Sequence, residues 1–307
     1  MALLLGSAIA TAMYLDAKFA IRSDLVQIQS MLRMQKFIRE RYDTHGEDDW
    51  SFYHILHSTY PLRETQGNSE AFLFEGRSWS YNAFRAEIGR IAEWFVKLGV
   101  RNRTVVGLFI NNSPEFMFVW WALLKIGAIP APINTGLTGE YIRHCVKICG
   151  ANVLVCSLEL YDTVVKTFWD GSESEVEAKT TSNDLGCSSI GHPSVPRLEQ
   201  VVLYDYDTYS NPSELTSLPR GMVSLKHDEL PPATPESSDF QISTRPKISP
   251  TCALVYLFTS GTTGLPKAAT WPAGYSFLAT CPGRWPGMQD VYRRFYICLP
   301  MFHGTAL

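Results

Sequence analysis

Cys252-Ala-Leu-Val-Tyr-Leu-Phe-Thr-Ser-Gly-Thr-Thr-Gly-Leu-Pro-Lys267 couples an apolar run to a loop of hydroxyls and glycines that ends at a lysine. The run Cys252–Phe258 predicts a buried strand. Gly261 and Gly264 allow positive φ, so the loop can turn its N–H groups inward. Successive N–H groups of this kind form a concave anion site. Thr259, Ser260, Thr262 and Thr263 add hydroxyl donors, and Lys267 adds a point charge suited to phosphate. A surface loop rich in Ser, Thr and Gly is the plain alternative, but an ordered decamer directly behind a buried strand argues for the anion site. The stretch does not fit the G-x-x-x-x-G-K-[ST] pattern of a P-loop.

Upstream of this stretch, strand and helix signals alternate. Ala71–Phe74 and Arg77–Ser80 flank Glu75-Gly76 and predict a tight hairpin. Residues 81–98 carry Phe84, Ile88, Ile91, Phe95 and Leu98 at helical spacing, and Gly99 ends the pattern. Val105–Ile110 reads as a short strand. Ser113-Pro114-Glu115 is a helix start with a cap hydroxyl, a first-turn proline and an acid against the dipole. The helix that follows is apolar all round and closes at Gly127, so it should be buried. Residues 129–133 predict a strand, 138–149 a helix and 153–156 a strand. The alternation points to an α/β fold built from βαβ units with a mostly parallel sheet and flanking helices.

Residues 171–250 break this rhythm. They hold nine of the 18 prolines, 14 serines, and twelve acidic against six basic residues. Only Gln200–Tyr204 reads as a strand there, and the rest is expected to be a long, partly disordered insertion.

The 307 residues carry a net charge of −3, and no global basic field speaks for a nucleic-acid partner. The seven cysteines read as small buried hydrophobes of a reducing compartment. Cys145 and Cys149 stand i, i+4 beside His144, but no further Cys/His pair at ligand spacing completes a metal site.

Residues 1–41 carry six basic and three acidic residues, and the first 15 are uncharged. Fifteen helical residues reach about 22 Å, less than the roughly 30 Å of a bilayer core. No basic segment precedes the run and no cleavage pattern follows it, which argues against a signal peptide. Leu25, Ile28, Leu32 and Phe37 form an apolar stripe opposite Arg33, Lys36, Arg39 and Arg41. Residues 1–41 are therefore expected to form an N-terminal membrane-associated helix, shallowly inserted on a cytosol-facing membrane. Packing of the stripe on the protein's own core is the alternative.

A second marker lies 36 positions after Lys267. Phe295–Leu299 predicts a strand, and Pro300-Met-Phe-His303 follows it. A single histidine at a strand end is ordinarily structural. The phosphate loop and this histidine together resemble the AMP-forming acyl-adenylating enzymes, the acyl-CoA synthetase superfamily. Asn111-Asn-Ser-Pro-Glu-Phe116 and Gly127-Ala-Ile-Pro-Ala-Pro-Ile-Asn134 are also similar to elements of that family. Tyr14-Leu-Asp-Ala-Lys18 behind an apolar start looks like the fatty acid transport protein or very-long-chain acyl-CoA synthetase branch.

The resemblance implies that residues 42–307 are the N-terminal part of the large adenylation domain. It implies ATP-dependent activation of a long- or very-long-chain fatty acid, coupled to its uptake, with Mg²⁺ and with coenzyme A as co-substrate. Thr259, Ser260, Gly261, Thr262, Thr263, Gly264 and Lys267 would hold the ATP phosphates, and His303 would stand near the acyl and nucleotide pockets. The implied location is a cytosol-facing membrane of the endoplasmic reticulum, peroxisome, lipid droplet or plasma membrane. The family's adenine-contacting segment, its Mg²⁺-binding and ribose-binding acids and its small C-terminal domain have no counterpart within the 307 residues. A truncated, inactive ligase is therefore expected. The alternatives are a non-catalytic, membrane-associated fatty acid import or binding protein and an acyl-adenylating enzyme for another acid.

Overall fold

The structure, a computed structural model, describes residues 67–169, 192–205, 218–230, 246–259, 264–280 and 296–303, with Ile190 and scattered positions between Tyr14 and Tyr53. Glu70–Phe74 (β1) and Arg77–Ser80 (β2) form the anticipated antiparallel hairpin. Glu75 and Gly76 take φ of 48° and 79° at its turn. Two consecutive left-handed residues match the twist of a two-residue hairpin, and glycine at the second removes half the steric cost.

Five parallel strands form the central sheet: Val105–Phe109 (β3), Ile129–Pro132 (β4), Val153–Ser157 (β5), Gln200–Asp205 (β6) and Met222–Lys226 (β7), in the order β4-β3-β5-β6-β7. Side chains alternate along each strand. Val106, Leu108, Val153, Val155, Val202 and Tyr204 face one core, which holds Ile88, Ile91 and Phe95 of Tyr81–Lys97 (α1) and Phe118, Val119 and Leu123 of Pro114–Ile126 (α2). Phe109, Leu154, Cys156, Val201 and Leu203 face a second core with Glu140–Cys149 (α3) and Tyr161–Phe168 (α4). A parallel sheet is stable only when both faces are covered, and this one is covered by helices.

The helix ends follow local chemistry. Ser80 Oγ accepts from the Ala83 N–H at 3.1 Å and Ser113 Oγ from the Phe116 N–H at 3.4 Å, so each α1 and α2 start has a capped donor. Gly127 closes α2 at φ 82°. Lys125 is buried on α2, with its ammonium 5.4 Å from the Tyr53 ring centroid. The helix anticipated over 138–149 begins only at Glu140. Gly139 precedes it at φ 49° and ψ −120°, which is not helical backbone.

One polar cluster sits between α1 and the turn after β7. Arg90 Nη1 donates to both Glu87 oxygens, at 2.9 and 3.1 Å. Its Nη2 donates to the His227 and Leu230 carbonyls at 3.0 and 3.2 Å. His227 Nε2 lies 3.1 Å from Glu87 Oε2. Glu87 and Arg90 are both buried.

Two expectations are corrected. Residues 171–250 are not one loop with one strand: β7 adds a second parallel strand, and Val195 and Leu198 enter the core beside Met222. Residues 170–189, 206–217 and 231–245 lie outside the described residues. Tyr296–Leu299 is not a strand. Its side chains are exposed, Tyr296 at 90%, and it pairs with no strand among the described residues. Apolar composition alone does not make a strand, since the backbone donors must also find ladder partners.

Near the amino terminus, Tyr14, Leu15, Lys18, Leu25, Ile28, Leu32, Lys36 and Arg39 are helical and exposed. Phe37, Arg33 and Arg41 lie outside the described residues. Among the described residues, no helix is long and apolar enough to cross a membrane.

Candidate functional site

Ala253–Thr259 (β8) and Lys267–Pro272 (β9) pair antiparallel, from Ala253 opposite Pro272 to Thr259 opposite Lys267. The segment between Thr259 and Lys267 therefore connects the two strands of a β-hairpin. Its first and last members, Thr259 and Lys267, face each other across the mouth. Thr259 Oγ1 lies 3.5 Å from the Lys267 carbonyl oxygen, at the outer limit of a hydrogen bond. Both residues are exposed, so the lysine charge stands in solvent beside the loop. Ser260, Gly261, Thr262 and Thr263 lie outside the described residues.

Gly264 departs from the sequence argument. Its φ is not in the left-handed region, and a Cβ placed there would meet nothing within 4 Å. Its immediate described surroundings do not require a glycine.

The hairpin is tied to the parallel sheet at both ends. At the base, Arg103 Nη1 donates to the Ala253 carbonyl at 2.9 Å. Near the tip, His144 Nε2 of α3 lies 2.9 Å from the Pro266 carbonyl oxygen, one residue before Lys267. A carbonyl only accepts, so the imidazole carries a proton on Nε2 in this contact. Ala273–Thr280 (α5) follows β9, and the Ala273 N–H donates to Cys252 O at 2.9 Å.

His303 belongs to a separate segment. It is exposed, its N–H donates to Pro300 O at 3.0 Å, and its ring centroid lies 4.7 Å from that of Phe302. Asn112, in the loop between β3 and α2, holds this segment from both sides of Pro300. Its Nδ2 donates to Leu299 O at 2.9 Å and its Oδ1 accepts from the Met301 N–H at 2.7 Å. Sequence reasoning did not anticipate Asn112, His144 or Arg103 in these roles. Each reaches more than 100 positions along the chain, and no local pattern announces such a contact.

Cys145 and Cys149 of α3 and Cys156 of β5 are buried. Burial pushes their thiols up to about 11, about 12 and about 12 respectively. They pack as apolar side chains, as their sequence context suggests, but the expectation fails at Cys298, which is exposed, and holds only in part at Cys252, which is half-buried. Among the described residues no cluster of three His, Cys, Asp or Glu is placed to hold a metal ion.

Residues 62–307 match the family described as AMP-binding enzyme. The chain belongs to that family. This AMP-binding chain is 26% identical over 307 residues to a "Very long-chain fatty acid transport protein" of Cochliobolus heterostrophus, covering 98% of this chain and 40% of that protein. It is 27% identical over 283 residues to "Long-chain fatty acid transport protein 2" of Rattus norvegicus, covering 92% and 38%. The chain thus spans about two-fifths of the length of these curated relatives. Its fold is similar to the crystal structure of the N-terminal domain of FACL13 from Mycobacterium tuberculosis, with a TM-score of 0.50 and 17% identity, over 85% of this chain and 53% of that one.

Proposed function

We propose that this AMP-binding chain contributes to an AMP-forming ligase that activates a long- or very-long-chain fatty acid with ATP and passes the acyl group to coenzyme A. The observation that carries the reading is the β8–β9 hairpin, whose ladder brings Thr259 and Lys267 together across the hydroxyl- and glycine-rich loop. The relatives named as fatty acid transport proteins support a fatty acid as substrate.

In this reading a fatty acid carboxylate oxygen attacks the α-phosphorus of ATP. The bond to the bridging oxygen breaks and pyrophosphate leaves, giving an acyl-adenylate. The coenzyme A thiolate then displaces AMP. Residues Thr259, Ser260, Gly261, Thr262, Thr263, Gly264 and Lys267 serve as the phosphate contacts. Backbone N–H and hydroxyl donors hold the β- and γ-phosphates, and the Lys267 ammonium offsets charge that grows on the leaving pyrophosphate. The donors fit a polyphosphate, since they are N–H, O–H and a cation with no carboxylate among them. Mg²⁺ bound to ATP would share the phosphate charge, and no residue of the chain is assigned to it. His303 is the candidate catalytic residue, near the acyl and nucleotide pockets.

Residues 1–41 are read as a membrane-facing element and residues 42–307 as part of the adenylation domain, with 171–250 as an insertion. Leu25, Ile28 and Leu32 lie on one helical stripe and are 53–59% exposed, which suits shallow burial in a cytosol-facing leaflet.

Two assays of the purified native protein test the function: pyrophosphate release from ATP upon addition of oleate or lignocerate, and acyl-CoA formation upon addition of coenzyme A. Fatty-acid-dependent release is expected of a protein in which residues 1–307 stand together with the family's remaining nucleotide contacts. ATP turnover that responds only to an amino acid or aryl acid would move the protein to another adenylating specificity. Specific ATP binding that no acid converts to turnover would reduce it to a binding protein.

A further inference from the structure

Asn111 and Asn112 occupy one particular place in the fold. The chain leaves β3 through α2 to β4 on one side, while β5 lies on the other. The carboxyl ends of β3 and β5 therefore flank the point where strand order reverses, and α/β sheets bind ligands in the crevice at that point. Asn111 Nδ2 spans it, donating to Glu159 Oε1 just beyond β5 at 3.0 Å. Asn112 reaches the other way, to Leu299 and Met301.

We propose that Asn112 is a positioning residue that seats the Pro300–His303 segment over this crevice by standing in for a missing strand. Pro300 and His303 are exposed, Met301 and Phe302 are half-buried, and the segment has no ladder partner among the described residues. One primary amide supplies what an adjacent strand would supply, a donor to one carbonyl and an acceptor for an N–H two residues on. Pro300 lies between the two contacts and fixes its own φ, so the pair of bonds defines the direction in which the turn to His303 leaves. Asn112 touches only backbone here, so it acts through the segment it holds. The functional half of this inference rests on the ligase reading; the structural half does not.

The test pairs hydrogen exchange with kinetics on the native protein and its Asn112→Ala and Asn112→Asp variants. Asn112→Ala removes both contacts. Asn112→Asp keeps an acceptor for Met301 but sets a carboxylate oxygen against the Leu299 carbonyl. Exchange at the Met301 and His303 amides should accelerate by about tenfold in Asn112→Ala, the effect of one lost hydrogen bond. The Asp variant should retain more Met301 protection than the Ala variant. Amides of β3 and α2 should keep their wild-type exchange. Unchanged exchange at Met301 and His303 in Asn112→Ala overturns the proposal. Equal acceleration throughout β3 and α2 also overturns it, because Asn112 would then serve global stability. In the ligase assay, both variants should raise KM for the fatty acid or lower kcat about tenfold or more while KM for ATP stays within twofold. Altered exchange with unaltered kinetics would overturn the functional half. A wild-type protein without fatty-acid-dependent turnover would overturn the ligase reading, and the exchange data would still decide the role of Asn112.

Discussion

Replacing Arg90 with leucine should destabilise the fold more than any other single change to a charged residue described above. Arg90 makes two bonds to the Glu87 carboxylate and one each to the His227 and Leu230 carbonyls. The side chains of Arg90 and Glu87 are only 6% and 11% exposed. Arg90→Leu leaves the Glu87 carboxylate in the protein interior with His227 as its one remaining side-chain contact in the cluster, and it takes a donor from two carbonyls. Removing one partner of a buried pair costs about 3–5 kcal/mol, because the other charge stays desolvated. For a domain of this size, about 1 kcal/mol shifts the midpoint by 2–4 °C, so a fall of about 6–20 °C is expected. Glu87→Met combined with Arg90→Leu removes both charges and should recover at least about 1 kcal/mol over Arg90→Leu alone. Thermal and urea unfolding followed by tryptophan fluorescence measure the midpoints and free energies of all three proteins. An Arg90→Leu protein within about 1 kcal/mol of wild type, or a double variant no more stable than the single one, would refute the reasoning.

Lys267→Ala should lower fatty-acid-dependent pyrophosphate release by about 10²–10³-fold, and Thr263→Ala by less, since the backbone donors remain; activity of Lys267→Ala within twofold of wild type removes the lysine from its assigned role. Cys145, Cys149 and Cys156 should resist iodoacetamide at pH 8 in the native protein while exposed Cys298 reacts, as read by peptide mass spectrometry. Their folded-state pKa values are raised to about 11–12 from an unfolded value of 9.0. Their contribution to stability is thus complete below pH 9 and is lost as pH rises towards 11–12, where the unfolded chain releases these protons first. A urea midpoint that rises over that range would contradict the sign. Deleting residues 1–21 should shift the expressed protein from the membrane pellet towards the soluble fraction, and equal partition of both forms would count against the membrane-facing element.

Much of the fold was legible because the signals were local. The Glu75-Gly76 turn, the Ser113-Pro114-Glu115 start and the Gly127 stop each act within a few residues, and the structure shows all three. Strands β3, β5 and β6 announced themselves as short apolar runs. Strand β7 did not, because Met222–Lys226 carries a serine and a lysine and sits at the edge of the sheet. The 296–299 stretch misled for the opposite reason: its composition suits a strand, but it pairs with no strand among the described residues. In the candidate site, the hydroxyls, glycines and lysine stood in plain order. That β9 begins at Lys267 did not, since Lys-Ala-Ala-Thr-Trp-Pro pairs with β8 by proximity rather than by pattern. The anchors Arg103, Asn112 and His144 were invisible because a side-chain bond to a distant carbonyl leaves no periodicity behind.

The ladder that joins Thr259 to Lys267 has an entropic consequence. The entropic cost of closing residues 260–266 into a ring is met by the cross-strand bonds of β8 and β9, before any phosphate arrives. Under the proposed function, a polyphosphate would meet a loop whose two ends are already joined across the ladder. The hairpin also lies outside the five-strand parallel ladder, so opening of the β8–β9 pairing would leave every bond of that sheet formed.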